Sequence, residues 1–329
     1  MSHDLLDVET FAAGHPLELY RELRANAPVH WNAEHHGPGF WALTRYADVY
    51  AVDHDFQNYS SSPTIMIADP LGQMDEGFGE AKMMLMMDPP QHTGFRKLIR
   101  AEFTRPAAAD KGDRLHNLAR QIVNDVIERG ECDFVSEVAG EMPSYVIAEL
   151  MGLPLEDGRE LYKLTEIIHS APETLPPGAG REAVMKMFGY GSGVIAEKRA
   201  RPADDLATRL LQCEVEGRRL TDPEFLLFFL LLIDAGGDTT RNLLASGLWA
   251  LQQNPDQRAW LTADLPARLA SAREELLRYT SPVIYMRRTA THDTAIGETQ
   301  IKAGDKVVMY FGAANRDPEK FDNPDALDL

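Results

Sequence analysis

A long apolar helix, predicted over residues 221–254, constrains the fold more than any other feature of the sequence. A capping box marks its start, because Thr221 and Glu224 can each bond the other's backbone N–H group. Its end is marked by Asn254, since a residue that precedes a proline is disfavoured in the α region. Residues 225–233 are apolar on every side, which predicts a helix buried in the core. The apolar run is too short to span a bilayer.

The middle of this helix has a composition that weakens helices. It reads Asp234-Ala235-Gly236-Gly237-Asp238-Thr239-Thr240. Glycine in a helix interior costs about 1 kcal/mol relative to alanine, and Asp and Thr compete with the backbone for hydrogen bonds. We therefore expect a broken hydrogen-bond ladder and an open turn, against which a bulky planar group can lie beside an acid and a hydroxyl. The alternative is a glycine kink with a solvated acid.

The composition argues against several classes of function. A net charge of −18 argues against nucleic acid and anionic membranes as partners. The two cysteines, Cys132 and Cys213, show no spacing typical of a zinc site or a disulfide framework, and the N-terminal residues lack a secretory pattern. These features predict a cytoplasmic location. The ten histidines are scattered, which makes a histidine-ligated metal enzyme a poor explanation.

Helical patterns run through the whole chain, and short strands are predicted only near its two ends. We therefore expect a mainly α fold with small β-sheets (α+β), forming a single domain over residues 1–329. Residues 60–80 form a long irregular loop, of a length that is usually functional or disordered. The methionines that follow, at positions 83, 84, 86 and 87, suit either an adaptable apolar wall or ordinary core packing.

Two pairs of charged residues have helical spacing. His92 and Arg96 share one face of a predicted helix, where they suit either a two-point clamp for an anion or a solvated basic face. Glu275 and Arg278 lie one turn apart on another helix and can form an ion pair.

Five motifs, in one order along the chain, resemble those of the cytochrome P450 family, especially its soluble bacterial members. Residues 235–240 resemble the oxygen-activation motif, and Glu275-Leu276-Leu277-Arg278 resembles the family's E-x-x-R motif. His92 and Arg96 after residues 88–90 resemble the haem-propionate contact, and residues 285–291 and 312–318 follow in the expected order. The resemblance implies a cytochrome P450-like fold.

The implied activity is that of a haem-thiolate monooxygenase. Such an enzyme inserts one oxygen atom of O2 into a hydrophobic small molecule, such as a terpenoid, a steroid or a fatty acid. No flavin or iron–sulfur motif occurs in the sequence, so the resemblance implies a separate ferredoxin as electron donor. The outward-facing ones among Arg96, Lys97, Arg100 and Arg105 are expected to form a basic surface that docks it.

The resemblance also implies individual residue roles. Contacts to haem b are implied for His92, Arg96, Ala235, Gly236 and Arg288, with Arg287 less suited than Arg288. Asp238 and Thr239 would relay protons during dioxygen activation. Glu275 and Arg278 would form a structural joint. Residues 60–80, 155–198 and 283–286 would line the substrate pocket.

Two elements of the family pattern are expected beyond Leu329. One is the glycine-rich loop whose cysteine thiolate ligates the haem iron, so the expected fold is incomplete at the C-terminus. The other is an arginine that completes the Glu275–Arg278 joint in many relatives. The alternative function is therefore that of a truncated, non-catalytic member of the family that binds an apolar ligand or a partner.

Overall fold

The structure is a computed structural model that describes residues 4–68, 80–170, 174–215 and 217–329. These residues divide into two units. The first comprises residues 4–68, Leu85–Asp88 and Ser246–Leu329, and the second comprises residues 80–84 and Pro89–Ala245. Part of the predicted loop at residues 60–80 lies outside the described residues. A single domain over residues 1–329 stays a prediction.

Helices dominate both units, as expected. They are α1 (Val8–Phe11), α2 (Leu17–Asn26), α3 (Tyr46–His54), α4 (Gln91–Ile99), α5 (Arg105–Asp110), α6 (Gly112–Ile127), α7 (Glu141–Met151), α8 (Leu155–His169), α9 (Ala179–Ala200), α10 (Leu206–Gln212), α11 (Asp222–Gln253), α12 (Pro255–Ala263), α13 (Leu265–Thr280) and α14 (Phe311–Ala314). Two short 3-10 turns (Met84–Met86, Arg100–Phe103) and a π-helical turn (Val135–Ala139) complete them.

The strands are short. They are β1 (Val29–Asn32), β2 (Phe40–Leu43), β3 (Tyr59–Ser60), β4 (Glu214–Val215), β5 (Arg218–Arg219), β6 (Tyr285–Ala290), β7 (Thr294–Ile296), β8 (Thr299–Ile301) and β9 (Lys306–Tyr310). Strands β4 and β5 pair in the second unit, β7 and β8 pair in the first, and the other five form one sheet. The predicted strands near both chain ends are confirmed, because the sheet joins them.

The five-stranded sheet of the first unit has the order β1-β2-β9-β6-β3. The pair β2–β9 is parallel and the other pairs are antiparallel. Side chains alternate along β9: Val307 and Met309 enter one buried cluster, and Val308 and Tyr310 enter another. Both faces of the sheet are therefore covered, which fixes the register of β6 and its two arginines.

Helix α11 matches its prediction at both ends. The Thr221 N–H group donates to the Glu224 carboxylate at 2.8 Å, and the Glu224 N–H group donates to Thr221 Oγ1 at 3.3 Å. Phe225, Phe228 and Phe229 are buried on different sides, which confirms the core position. No helix among the described residues is long and apolar enough to cross a membrane.

The expected break in the middle of α11 is wrong, because the helix is continuous from Asp222 to Gln253. The two glycines serve helix packing. A Cβ atom on Gly236 would lie 2.7 Å from Ile147 of α7, and one on Gly237 would lie 2.6 Å from the Tyr162 ring of α8. Side chains from two neighbouring helices thus occupy the space that the glycines leave.

Candidate active site

The motif in α11 presents an exposed edge formed by Ala235 and Thr239, one helical turn apart. Ala235 is exposed and Thr239 is half-buried. The Thr239 hydroxyl donates to the Ala235 carbonyl oxygen at 3.0 Å, so its oxygen lone pairs remain available as acceptors. Gly236, predicted with Ala235 as a haem contact, is half-buried, and a Cβ atom there would lie 2.7 Å from Ile147. Of these two predicted haem contacts, only Ala235 is exposed.

Asp238 is held by a hydrogen bond and an ion pair that meet at one oxygen atom. The Tyr162 hydroxyl donates to Asp238 Oδ1 at 2.9 Å, and Arg241 Nη2 lies 3.0 Å from the same atom. Arg241 also pairs with Glu166 of α8 at 2.6 Å. Asp238 is half-buried, so it combines a fixed orientation with partial access to water.

A second acid–base contact lies one turn earlier. His169 Nε2, at the end of α8, lies 2.6 Å from Asp234 Oδ1. The hydrogen bond to Asp234 raises the pKa of His169, burial opposes the rise, and the charges of Asp234 and Asp238 add to it. A protonated His169 therefore forms an ion pair with Asp234.

On α4, His92 is half-buried and Arg96 is exposed. No other described residue forms an ion pair with Arg96, so its guanidinium is available to an anionic group. The spacing of four places both side chains on one face of the helix, as predicted.

The two arginines of β6 point to opposite faces of the sheet. Arg287 is 7% exposed and donates to the carbonyl oxygens of Met66 and Ile67 at 3.2 and 3.4 Å. Arg288, which faces the other way, pairs with Asp53 at 2.7 Å. Arg287 therefore has a structural role, because it holds the chain at Met66 and Ile67. The side chain of Arg288 lies on the opposite face of the sheet.

Each of the two units contains side chains whose chemistry suits contact with haem. Arg96 in the second unit and Arg288 in the first are cations suited to propionate carboxylates. Ala235 provides a small apolar contact for a flat ring. Cys132 lies in an exposed link and Cys213 ends α10, so neither stands in a glycine-rich loop. No group of three or more metal-binding side chains occurs in the described ranges.

Glu275 and Arg278 of α13 form a bidentate ion pair with distances of 2.6 and 2.7 Å. The Arg278 guanidinium also donates to the carbonyl oxygens of Asn315, Pro324 and Ala326 at 2.7–2.9 Å. The pair thus ties α13 to the chain that follows α14. Glu275 also accepts from the Asp328 N–H group at 2.9 Å.

Three partners of the site residues were missed from the sequence: Tyr162, Arg241 and Asp53. Arg241 was detectable, because it lies three residues after Asp238 on the same helix. Tyr162 and Asp53 are 76 and 235 residues from their partners, and no local pattern marks them.

Comparison with known proteins gives consistent matches. A family model described as cytochrome P450 matches residues 178–329. The steroid C26-monooxygenase of Rhodococcus jostii is 33% identical over 99% of this chain and 70% of its own length. The methyl-branched lipid omega-hydroxylase of Mycobacterium tuberculosis is 35% identical over 94% of this chain and 74% of its own length.

The solved structures agree with these matches. A Mycobacterium marinum cytochrome P450 in complex with pseudoionone has a TM-score of 0.90 and 34% identity, over 100% of this chain and 83% of its own. The expected fold class and enzyme type are thereby confirmed. The chain belongs to the cytochrome P450 family and is an enzyme of the monooxygenase type, whose cofactor is haem b.

Proposed function

We propose that this monooxygenase hydroxylates a large apolar molecule, using Thr239 and Asp238 to deliver protons. The observation that carries the proposal is the edge formed by Ala235 and Thr239, with a hydroxyl whose lone pairs are free and a fixed carboxylate beside it. When bound, haem supplies the binding and reductive cleavage of dioxygen. The protein's own residues orient the reactants and supply protons.

Thr239 has its hydroxyl proton engaged by the Ala235 carbonyl oxygen. The hydroxyl oxygen therefore acts as an acceptor and holds a protonated oxygen or a water molecule in place at the helix surface. Asp238, the preceding residue, exchanges protons with water from its half-buried position. Together they form a short path for protons from solvent to the exposed edge.

Three cations are proposed to hold the carboxylate arms of haem: His92, Arg96 and Arg288. Arg96 has an exposed guanidinium without an ion pair among the described residues. Arg288 follows the buried Arg287 on β6 and points to the other face of the sheet. In the structure it forms an ion pair with the carboxylate of Asp53. A propionate has the same chemistry as that carboxylate, so the same guanidinium geometry suits it.

The proposed substrate is a steroid or a methyl-branched lipid. The names of the two relatives describe enzymes acting on these two classes, and both classes are large and apolar. In the first unit, Ile284 is 40% exposed just before β6, a position that suits apolar contact with such a molecule. Met86 and Met87 are buried, so they belong to the core.

The proposed electron donor is an acidic ferredoxin that docks on the basic surface of α4 and the turn after it. Lys97, Arg100 and Arg105 are exposed and form no ion pair with another described residue. Phe103, which is 53% exposed, adds an apolar contact within this surface. On a protein of net charge −18, this surface is suited to an acidic partner. We also propose a cytoplasmic location, testable by cell fractionation.

The function is tested in haem-loaded protein by comparing Thr239→Ala with Thr239→Ser and Thr240→Ala. We expect Thr239→Ala to consume reducing equivalents while releasing peroxide instead of product. Thr239→Ser keeps the hydroxyl, and Thr240 is exposed outside the proposed path, so both should stay coupled. Normal coupling in Thr239→Ala would overturn the proposed relay.

Two spectra test the cofactor and the substrate. In protein that includes the family's cysteine loop, the reduced form with carbon monoxide should show the absorption band typical of thiolate-ligated haem. Titration with a sterol, the same ring system without its alkyl side chain, and a methyl-branched fatty acid should shift the haem spectrum. A protein that shows none of these shifts would contradict the proposed substrate class.

A further inference from the structure

Helices α8 and α11 meet through a line of polar contacts beside the active-site motif. Tyr162, Glu166 and His169 of α8 bond to Asp238, Arg241 and Asp234 of α11 at 2.9, 2.6 and 2.6 Å. Only the first of these contacts involves a residue of the proposed proton path. Tyr162 is therefore the point at which α8 reaches that path.

The Tyr162 ring is fixed by packing. Its carbons would lie 2.6 Å from a Cβ atom on Gly237, so the ring rests directly against the backbone of α11. The Arg241 guanidinium lies over the face of the ring, with its Cζ atom 5.4 Å from the ring centroid. The residue as a whole is 6% exposed. With the ring held by these contacts, the hydroxyl has a defined direction.

The phenol of Tyr162 remains a donor. Burial, followed by the hydrogen bond to Asp238 and the negative charge of that residue, raises the pKa of Tyr162 above its ordinary value. Arg241 opposes this rise, but the net direction is upward. The hydroxyl thus keeps its proton at neutral pH.

Two contacts to Asp238 converge on one atom. The Tyr162 hydroxyl donates to Oδ1, Arg241 forms an ion pair with the same atom, and within the described part of the chain no donor reaches Oδ2. A hydrogen bond and an ion pair at Oδ1 restrict the rotation of the carboxylate, which leaves Oδ2 as the oxygen open to water.

We propose that Tyr162 is a positioning residue for proton delivery: it holds Asp238 Oδ1 and thereby presents Oδ2 to the water that serves Thr239. The inference rests on the proposed function. In each cycle Oδ2 accepts a proton from the solvent side and releases one toward Thr239, so the carboxylate returns to its starting charge. Tyr162 keeps its O–H bond throughout.

Tyr162→Phe is the variant that tests this role, because it keeps the ring against Gly237 and removes only the hydroxyl. The matched control is Tyr310→Phe in β9 of the first unit, which also removes a single buried hydroxyl, the one that donates to the Leu5 carbonyl oxygen at 3.3 Å. A second variant, Arg241→Gln, removes the ion pair at Oδ1.

In haem-loaded protein we expect Tyr162→Phe to lower kcat by about tenfold, a fraction of the usual contribution of general acid–base catalysis. KM should change less than twofold, the solvent isotope effect should grow, and peroxide release should rise. Arg241→Gln should change the same quantities in the same direction. Tyr310→Phe should match the wild type in all of them.

A measurement without cofactor tests the contact itself. In protein labelled with 13C at the tyrosine Cζ, Asp238→Asn should shift one resonance, the one that Tyr162→Phe removes. If no resonance responds, or if Tyr162→Phe keeps wild-type kcat and isotope effect, the positioning role is overturned. The proposed function fails separately, when Thr239→Ala stays coupled.

Discussion

His169 Nε2 and Asp234 Oδ1 lie 2.6 Å apart and join the last residue of α8 to α11, one turn before Asp238. The contact involves a histidine whose pKa is raised in the folded state, mainly by this hydrogen bond. Its contribution to stability is fully present below the unfolded pKa of about 6.5 and is lost as the pH rises through the folded pKa.

The stability of wild type relative to His169→Gln should therefore depend on pH. The difference in unfolding free energy should be largest below about pH 6.5 and should shrink on the alkaline side. It should stay below about 1 kcal/mol, because the pair is partly exposed and screened by solvent. Urea unfolding at several pH values measures it. Asp234→Asn should lose stability in the same pH range, and a difference that grew with pH would contradict the assignment.

Gly237→Ala should destabilise the protein by about 1–3 kcal/mol, because the new methyl group meets the Tyr162 ring, which has little room to move. Gly189→Ala is the control. A methyl group added at Gly189 in α9 would have nothing within 4 Å, so replacing glycine there should stabilise the helix by about 0.5–1 kcal/mol. Thermal and denaturant unfolding measure both. Equal effects of the same sign would show that close packing is not what selects glycine at position 237.

Arg278→Ala should cost about 3–5 kcal/mol, because it leaves the Glu275 carboxylate without its bidentate partner in a mostly buried place. It also removes the donors to three carbonyl oxygens beyond α14. Arg273→Ala on the same helix breaks an exposed pair with Glu274 and should cost less than about 1 kcal/mol. Similar costs for the two variants in urea unfolding would argue against a structural joint.

Reversing charge on the basic surface should slow electron transfer. With Lys97 and Arg100 both changed to Glu, we expect reduction by an acidic ferredoxin to slow by about tenfold or more at low salt. Stopped-flow reduction measures the rate. The control reverses Arg181 and Lys186 of α9, which changes the net charge equally at another exposed place. A rate unchanged at low salt, or lowered equally by both variants, would remove the docking proposal.

The sequence predicted much of the fold because several of its signals are local. The capping box of Thr221 and Glu224, the stop at Asn254 and the all-round apolar run each depend on neighbouring residues, and all are present. The weakened turn was misread because its explanation is not local. Ile147 and Tyr162 fill the space beside the glycines, and they come from helices far away in the sequence.

In the candidate site, too, contacts between residues close in sequence were predicted and contacts between distant residues were not. The pairing of Glu275 with Arg278 follows from their spacing on one helix, and so does the shared face of His92 and Arg96. The partner of Arg288 does not follow from spacing, because Asp53 is brought to it by the pairing of strands from the two chain ends.

The parallel pairing of β2 with β9 also affects synthesis of the chain. Trp41 and Ala42 pair with Val307 and Val308. The ribosome therefore makes roughly 260 further residues before β2 can pair with β9, its second neighbour in the sheet. At about 5–20 residues per second, the β1–β2 hairpin waits some 13–50 s with an unpaired edge. We expect this edge to be open to pairing with other nascent chains during that time, so yield should respond to chaperone supply and growth temperature.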